Sequence, residues 1–110
     1  MTDVVLILTT VPEGELGDAI ARRLVEQRVA ACVNVCAPMT SLYRWRGVVE
    51  RAAERQLVIK TTREHILAVQ ACIAGLHSYE LPEFLVLAVA DGSTAYLDWV
   101  QGEVACKPEV

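Results

Sequence analysis

The stretch VLILTT at residues 5–10 is nearly repeated as LVIKTT at residues 57–62, and this repeat is the strongest indication of the fold. Each copy is an apolar, largely β-branched run that ends in two threonines, which is typical of a strand with little exposed surface. After each copy, apolar residues recur at helical spacing, through residues 16–24 and 66–76. The sequence therefore predicts two strand–helix units of the same design.

Both helices are predicted to begin soon after a threonine. Thr10 and Thr61 each precede a glutamate by three residues, which is the spacing of a capping box. Pro12 is compatible with this start, because proline is tolerated in the first helical turn. We expect the first helix to end near Gln27 and the second near Gly75.

Three further segments complete the order of elements. Residues 31–36 and 84–90 are predicted strands, the second of them buried, and residues 94–101 form a short helix. The order βαββαβ predicts a ferredoxin-like α+β sandwich in one domain, residues 1–110, with two helices on one face of a mostly antiparallel sheet. Because the strands carry apolar residues on both sides, we expect an oligomer to bury the other face.

A long β-hairpin is predicted around residues 41–50, SLYRWRGVVE. Gly47 readily adopts the positive φ that a two-residue turn requires. This turn sets Trp45 opposite Val48 and places Tyr43 and Trp45 on one side of the ribbon. A two-stranded ribbon is marginally stable in water and its exposed rings would form a sticky patch, so we expect another surface to cover it.

Composition indicates a globular protein without a nucleic-acid or membrane partner. Hydrophobic residues make up 54% of the chain and charged residues 22%, and the net charge is −4. An acidic protein lacks the basic surface that nucleic acids and anionic membranes attract. The longest apolar runs, residues 4–8 and 84–90, are far shorter than the ~20 residues of a membrane span. The first residues lack the basic segment of a signal peptide, so we expect a cytoplasmic protein.

Arginines cluster in the predicted hairpin, at positions 44, 46 and 51. We expect them to keep the hairpin solvated and to pair with Glu50 and Glu54. His65 falls in the first turn of the second helix, where we expect it to be exposed to solvent.

Cysteines occur at positions 32, 36, 72 and 106. Zinc sites generally use tighter spacing and a second matching pair, and no secretory signal suggests disulfides. We therefore favour small buried thiols over a metal or redox site, which stays the alternative.

Five stretches carry a family resemblance at the spacing they have here: AACVN (30–34), SLYRWRG (41–47), IKTT (59–62), HSYELPE (77–83) and YLDW (96–99). Together they make the chain similar to the divalent-cation tolerance proteins, CutA, over residues 4–99. The resemblance implies a tight homotrimer with the architecture of the PII signalling proteins. It also implies that the hairpin reaches across to a neighbouring subunit, which would cover Tyr43 and Trp45.

The resemblance further implies copper or another divalent metal. Metal-binding members carry a cysteine at the end of the first strand and two adjacent histidines before the tyrosine that follows the second helix. Thr9 and Leu76 occupy two of these positions, so His77 is the one candidate metal ligand, for Cu²⁺ or Zn²⁺. Threonine is a poor copper ligand, which argues against tight copper binding. The alternative is that His77 caps the helix or hydrogen-bonds to a nearby carbonyl.

An inter-subunit cleft is the second candidate site. We expect it to gather Trp45, Lys60, Tyr79 and Glu83 around His77. The alternatives are that Glu83 serves strand entry or subunit pairing, and that Lys60 pairs with a carboxylate.

These features predict a trimeric cytosolic protein that serves divalent-cation tolerance by binding metal ions. Two alternatives remain: a PII-like regulator that binds a small ligand or a partner protein in the cleft, and an anchor for another protein. The sequence contains no nucleophile elbow, Walker loop, dinucleotide fingerprint or HExxH motif. We therefore expect no enzymatic activity and no cofactor other than a metal ion.

Overall fold

The ferredoxin-like order of elements is confirmed. A computed structural model describes residues 2–104, which form five strands and three α-helices. The elements are β1 (Val4–Pro12), α1 (Leu16–Glu26), β2 (Cys32–Val35), β3 (Met39–Trp45), β4 (Val48–Thr62), α2 (Ile66–Leu76), β5 (Leu85–Ala88) and α3 (Thr94–Glu103).

All five strands belong to one antiparallel sheet built around β4. The strand order is β2–β4–β1–β5, and β3 pairs with the part of β4 that β2 does not reach. Pairing between β1 and β4 ends at Pro12 and Glu54, so the hairpin of β3 and β4 extends beyond β1 as a two-stranded ribbon. Its register is the predicted one, with Trp45 opposite Val48, and Gly47 has a φ of 83°.

The hydrophobic core lies between the sheet and the helices α1 and α2. Its strand members alternate along the chain, as side chains on one face of a strand must. The main core residues are Val5, Ile7, Val11, Leu57 and Ile59 from the strands and Ile20, Leu24, Val69 and Ile73 from the helices.

The opposite side of the sheet is called the open face below. Its side chains alternate with those of the core and point away from α1 and α2. They are Leu6, Leu8, Thr10, Gln56, Val58, Lys60, Leu85 and Leu87. Much of this face is apolar, which agrees with the expectation that a further surface covers it.

The predicted helix starts are wrong. The first strand continues to Pro12 because Val11 is fully buried and the Glu13 N–H donates to the Ala53 carbonyl at 3.2 Å. The helix α1 then begins at Leu16 without a side-chain cap. Before α2, Thr61 does not cap either, because its Oγ1 donates to the Val29 carbonyl at 2.6 Å.

Two predictions about polar side chains are also wrong. His65 is only 8% exposed, and its Nδ1 lies 2.8 Å from Thr62 Oγ1 in the 3-10 turn that precedes α2. Arg46 pairs with Glu80, in the loop after α2, at 3.2 Å rather than with Glu50 or Glu54.

The last strand is exposed in the single chain, whereas the sequence predicted a buried one. All four residues of β5 are exposed, since this strand lies at the edge of the sheet beside β1 alone. Leu85, Val86 and Leu87 thus present apolar surface next to unpaired backbone groups.

The described cysteine thiols are only partly buried, whereas the sequence predicted buried ones. Cys32, Cys36 and Cys72 are free and half-buried. Burial raises the pKa of Cys72, and the nearby Arg23 opposes this increase. Cys106 lies outside the described residues.

Within residues 2–104, no helix has the length and apolar character that crossing a membrane would take.

Candidate functional site

A cleft of about 860 Å³ opens on the open face, between the hairpin and the loop of residues 77–84. Trp45, Tyr79 and Glu83, three of the residues predicted from the sequence, line it together. Glu54 and Tyr43 also line the cleft and add a carboxylate and a phenol to its polar groups. The loop and the hairpin thus bring together side chains that are far apart in the sequence.

His77 lies directly behind this wall and uses both ring nitrogens. Its Nε2–H donates to the Thr10 carbonyl at 2.7 Å, and its Nδ1 accepts the Tyr79 N–H at 3.1 Å. This pair of partners requires the neutral imidazole with its proton on Nε2. The ring also contacts the Tyr79 ring, with 4.6 Å between centroids. His77 therefore ties the loop to β1, which is the carbonyl-binding role that the sequence left open.

Tyr79 continues this network to β4. Its hydroxyl donates to Glu54 Oε2 at 2.6 Å, and Glu54 is only 7% exposed. Burial is the largest cause that raises the pKa of Tyr79, followed by the hydrogen bond to Glu54 and the charge of that carboxylate. The phenol therefore stays protonated at neutral pH and remains a donor to Glu54.

Glu83 contributes a carboxylate oxygen without a partner. Among the side-chain atoms of residues 2–104, Glu83 Oε2 and Thr9 Oγ1 are buried and accept or donate no hydrogen bond. A buried carboxylate oxygen without a donor costs free energy unless a ligand or another chain supplies one. Glu83 is therefore the group in the cleft that most clearly lacks a partner.

Lys60 lies elsewhere on the open face and does not line the cleft. Its Nζ is 5.9 Å from the centroid of the Tyr96 ring on α3. Near the hairpin turn, the Arg46 guanidinium lies 5.1 Å from the centroid of the Trp45 ring. Arg46 also forms an ion pair with Glu80, and this pair lies at the rim of the cleft. The structure thus groups Trp45, Tyr79 and Glu83 but not Lys60.

The side chains of one chain do not complete a metal site. Among residues 2–104, no three His, Cys, Asp or Glu side chains lie close enough together to share an ion. Thr9 is fully buried, and His77 has no free ring nitrogen. A metal ion at His77 would have to displace the Thr10 carbonyl or the Tyr79 N–H and take its other ligands from outside this chain.

Sequence reasoning missed Glu54 and Glu80 as site residues. The sequence predicts that Glu54 pairs with an arginine of the hairpin, yet its partner, Tyr79, is 25 residues away. The alternation of β4 places Glu54 on the same side as Gln56, which is the one signal that could have put it on the open face.

Comparisons with known proteins agree over nearly the whole described chain. A family model described as CutA1 divalent ion tolerance protein matches residues 5–103. The divalent-cation tolerance protein CutA of Thermus thermophilus is 44% identical over 101 residues, covering 92% of this chain and 96% of that protein.

Solved structures include a PII-like protein CutA from Nostoc, with a TM-score of 0.85 and 41% identity over 92% of this chain and 97% of that one. A structure described as the periplasmic divalent cation tolerance protein CutA of Archaeoglobus fulgidus has a TM-score of 0.85 and 34% identity, covering 88% and 94%.

Proposed function

Because the chain belongs to the family of CutA1 divalent ion tolerance proteins, we propose that it serves divalent-cation tolerance in the cytoplasm as a homotrimer, and that it is a binding protein rather than an enzyme. The observation that carries this proposal is the exposed apolar edge of the sheet. Leu85 and Leu87 are 54% and 42% exposed, beside the unpaired edge of β5.

A closed ring of copies would bury this edge. Exposed edges with apolar side chains pair indiscriminately unless another chain covers them, and cyclic assembly covers every copy in the same way. The hairpin beyond β1 supplies an arm long enough to reach a neighbour, and Leu42 and Val49 on it are also exposed. The cleft would then lie at a subunit boundary.

The role in cation tolerance includes binding of Cu²⁺ or Zn²⁺ at His77. The histidine would rotate to free one nitrogen, and a second subunit would supply further ligands. Calorimetric titration of the purified oligomer with each metal tests this idea, with His77→Ala as the variant and His65→Ala as the matched control. Binding that His77→Ala abolishes and His65→Ala leaves intact supports the site; equal binding by both variants removes it.

A PII-like regulator is the second candidate, and the cleft favours it. Its volume suits a small organic molecule, and one related structure is described as PII-like. Mass spectrometry of the native oligomer tests this candidate through a retained small molecule or a metabolite that raises the melting temperature. An oligomer that retains nothing and responds to no metabolite, but captures one partner protein, would point to the anchoring role instead.

A further inference from the structure

We propose that the hairpin of β3 and β4 docks between copies of the chain through two unlike faces, the basic face of one copy against the acidic face of the next. The inference rests on the proposed homotrimer and specifies which surfaces its copies present to each other.

The pairing register of the hairpin sorts its charged residues by sign. Residues directly opposite each other in an antiparallel pair share a face, and side chains alternate between the two faces along each strand. Among the paired residues 39–45 and 48–54, one face carries arginines and no acidic residue, and it is called the basic face below: Thr40 with Ala53, Leu42 with Arg51, and Arg44 with Val49. The other carries glutamates and no basic residue, and it is called the acidic face below: Met39 with Glu54, Ser41 with Ala52, Tyr43 with Glu50, and Trp45 with Val48.

Charges on both faces lack a partner within their own chain. The side chains of Arg51 and Glu50 are exposed, and neither forms a hydrogen bond or an ion pair with another of residues 2–104. Arg44 donates at 3.3 Å to the Gly47 carbonyl of its own turn, which carries no charge. Each face therefore presents charge that a surface of the opposite sign would neutralise.

Apolar surface accompanies the charges on both faces. Leu42 and Val49 on the basic face are 66% and 63% exposed, and Tyr43 and Val48 on the acidic face are also exposed. Leu42, on the free edge strand β3, borders the cleft as well. A contact between the two faces would bury these side chains at its centre and pair charges around them, which is the usual anatomy of a specific interface. It would also cover the ring of Trp45.

A second copy of the chain is the partner that fits both faces. Every copy carries one face of each sign, so a contact of unlike faces is head-to-tail and leaves one basic and one acidic face free on a pair of copies. A third copy uses both free faces when the rotation closes the ring. A contact of like faces would bring arginines against arginines or glutamates against glutamates, which costs free energy. Charge therefore selects the head-to-tail contact.

Glu50 and Arg51 are adjacent in the sequence but lie on opposite faces, so each charge can be reversed separately. Native mass spectrometry over a dilution series measures the protein concentration at which half of the chains are assembled. We expect Arg51→Glu and Glu50→Arg each to raise this concentration roughly tenfold. The matched controls Arg63→Glu and Glu64→Arg make the same charge changes at exposed sites in the 3-10 turn before α2, and should leave it unchanged.

Combining the two reversals distinguishes docking of unlike faces from a general effect of charge. A chain with both Arg51→Glu and Glu50→Arg has its charges exchanged between the faces and should assemble like the unaltered protein. The two single variants, mixed and refolded together, should form mixed oligomers more often than random association gives. The reason is that each junction between unlike variants joins opposite charges.

Arg51→Ala and Glu50→Gln are milder variants if a reversed chain does not fold, and each should weaken assembly by a smaller factor. Substitutions that leave assembly unchanged, or reversals that neither combination rescues, overturn the docking of unlike faces while the homotrimer stands. An unaltered protein that stays a folded single chain overturns the proposed homotrimer itself.

Discussion

Tyr79→Phe removes one oxygen atom, and the structure allows its cost to be worked out. The lost hydroxyl donates to Glu54 Oε2 at 2.6 Å, and Glu54 is buried, with only 7% of its surface exposed. Hydrogen bonds to charged groups contribute about 1.5–3 kcal/mol, and a half-buried donor site belongs at the lower end of that range. We expect the free energy of unfolding to fall by about 1.5 kcal/mol.

Urea denaturation at a fixed protein concentration measures this change. Tyr96→Phe is the matched control, because Tyr96 is exposed on α3 and its substitution should change stability by less than about 0.5 kcal/mol. The double variant Tyr79→Phe with Glu54→Gln should lose less than the sum of the two single losses, since the glutamine carries no charge that needs the donor. The same small loss for Tyr79→Phe and Tyr96→Phe would mean that the bond to Glu54 does not stabilise the fold.

The pH dependence gives an independent reading of the same contact. Burial raises the pKa of Tyr79 above that of tyrosine in the unfolded chain. Below about pH 10 both states keep the proton and the contribution to stability is complete. As the pH rises further, the unfolded state releases its proton first, so the contribution is lost. The difference in stability between the wild type and Tyr79→Phe should therefore shrink above about pH 10.

Three other substitutions test neighbouring contacts. His77→Ala, in metal-free buffer, should lower the free energy of unfolding by about 1–3 kcal/mol, because the Thr10 carbonyl and the Tyr79 N–H lose their partner. Hydrogen exchange in residues 77–84 should become faster. No change in metal-free buffer would mean that His77 does not hold the loop. Thr61→Val, which keeps the side-chain shape but removes the bond to the Val29 carbonyl, should cost about 1–2 kcal/mol by thermal or urea unfolding, and a neutral result would contradict the structural role of that bond. Arg46→Ala breaks an exposed ion pair and should cost less than about 1 kcal/mol, an effect that 1 M salt removes; a larger, salt-independent loss would mean that the pair is buried in the assembly.

Local sequence signals predicted the hairpin and the order of elements well. Gly47 fixed the turn, and the turn fixed the register down to Trp45 opposite Val48. The helix starts failed because a capping box is a local pattern, whereas the course of β1 through Pro12 depends on burial of Val11 beneath the helices. Tertiary burial overrode the local preference in the same way at His65, which the sequence placed in solvent.

The candidate site was predicted in part for a similar reason. Trp45, Tyr79 and Glu83 line one cleft of the single chain, whereas Lys60 lies beside Tyr96 of α3. That the cleft lies between subunits stays a prediction. Glu54 could not be identified, since its bond to Tyr79 joins residues of two separate elements and no spacing in the sequence reports such a pair. The roles of both nitrogens of His77 likewise depend on a backbone carbonyl of β1, which carries no sequence signal.

The mass of the native protein shows whether further copies of the chain cover the exposed sheet edge. If a homotrimer covers the apolar edge at β5, native mass spectrometry should give three times the 12.1 kDa of one chain. Leu87→Asp, which puts a charge on the exposed edge, should shift the population towards single chains. A folded species of 12.1 kDa for the unaltered protein at micromolar concentration would mean that no further copy covers this edge.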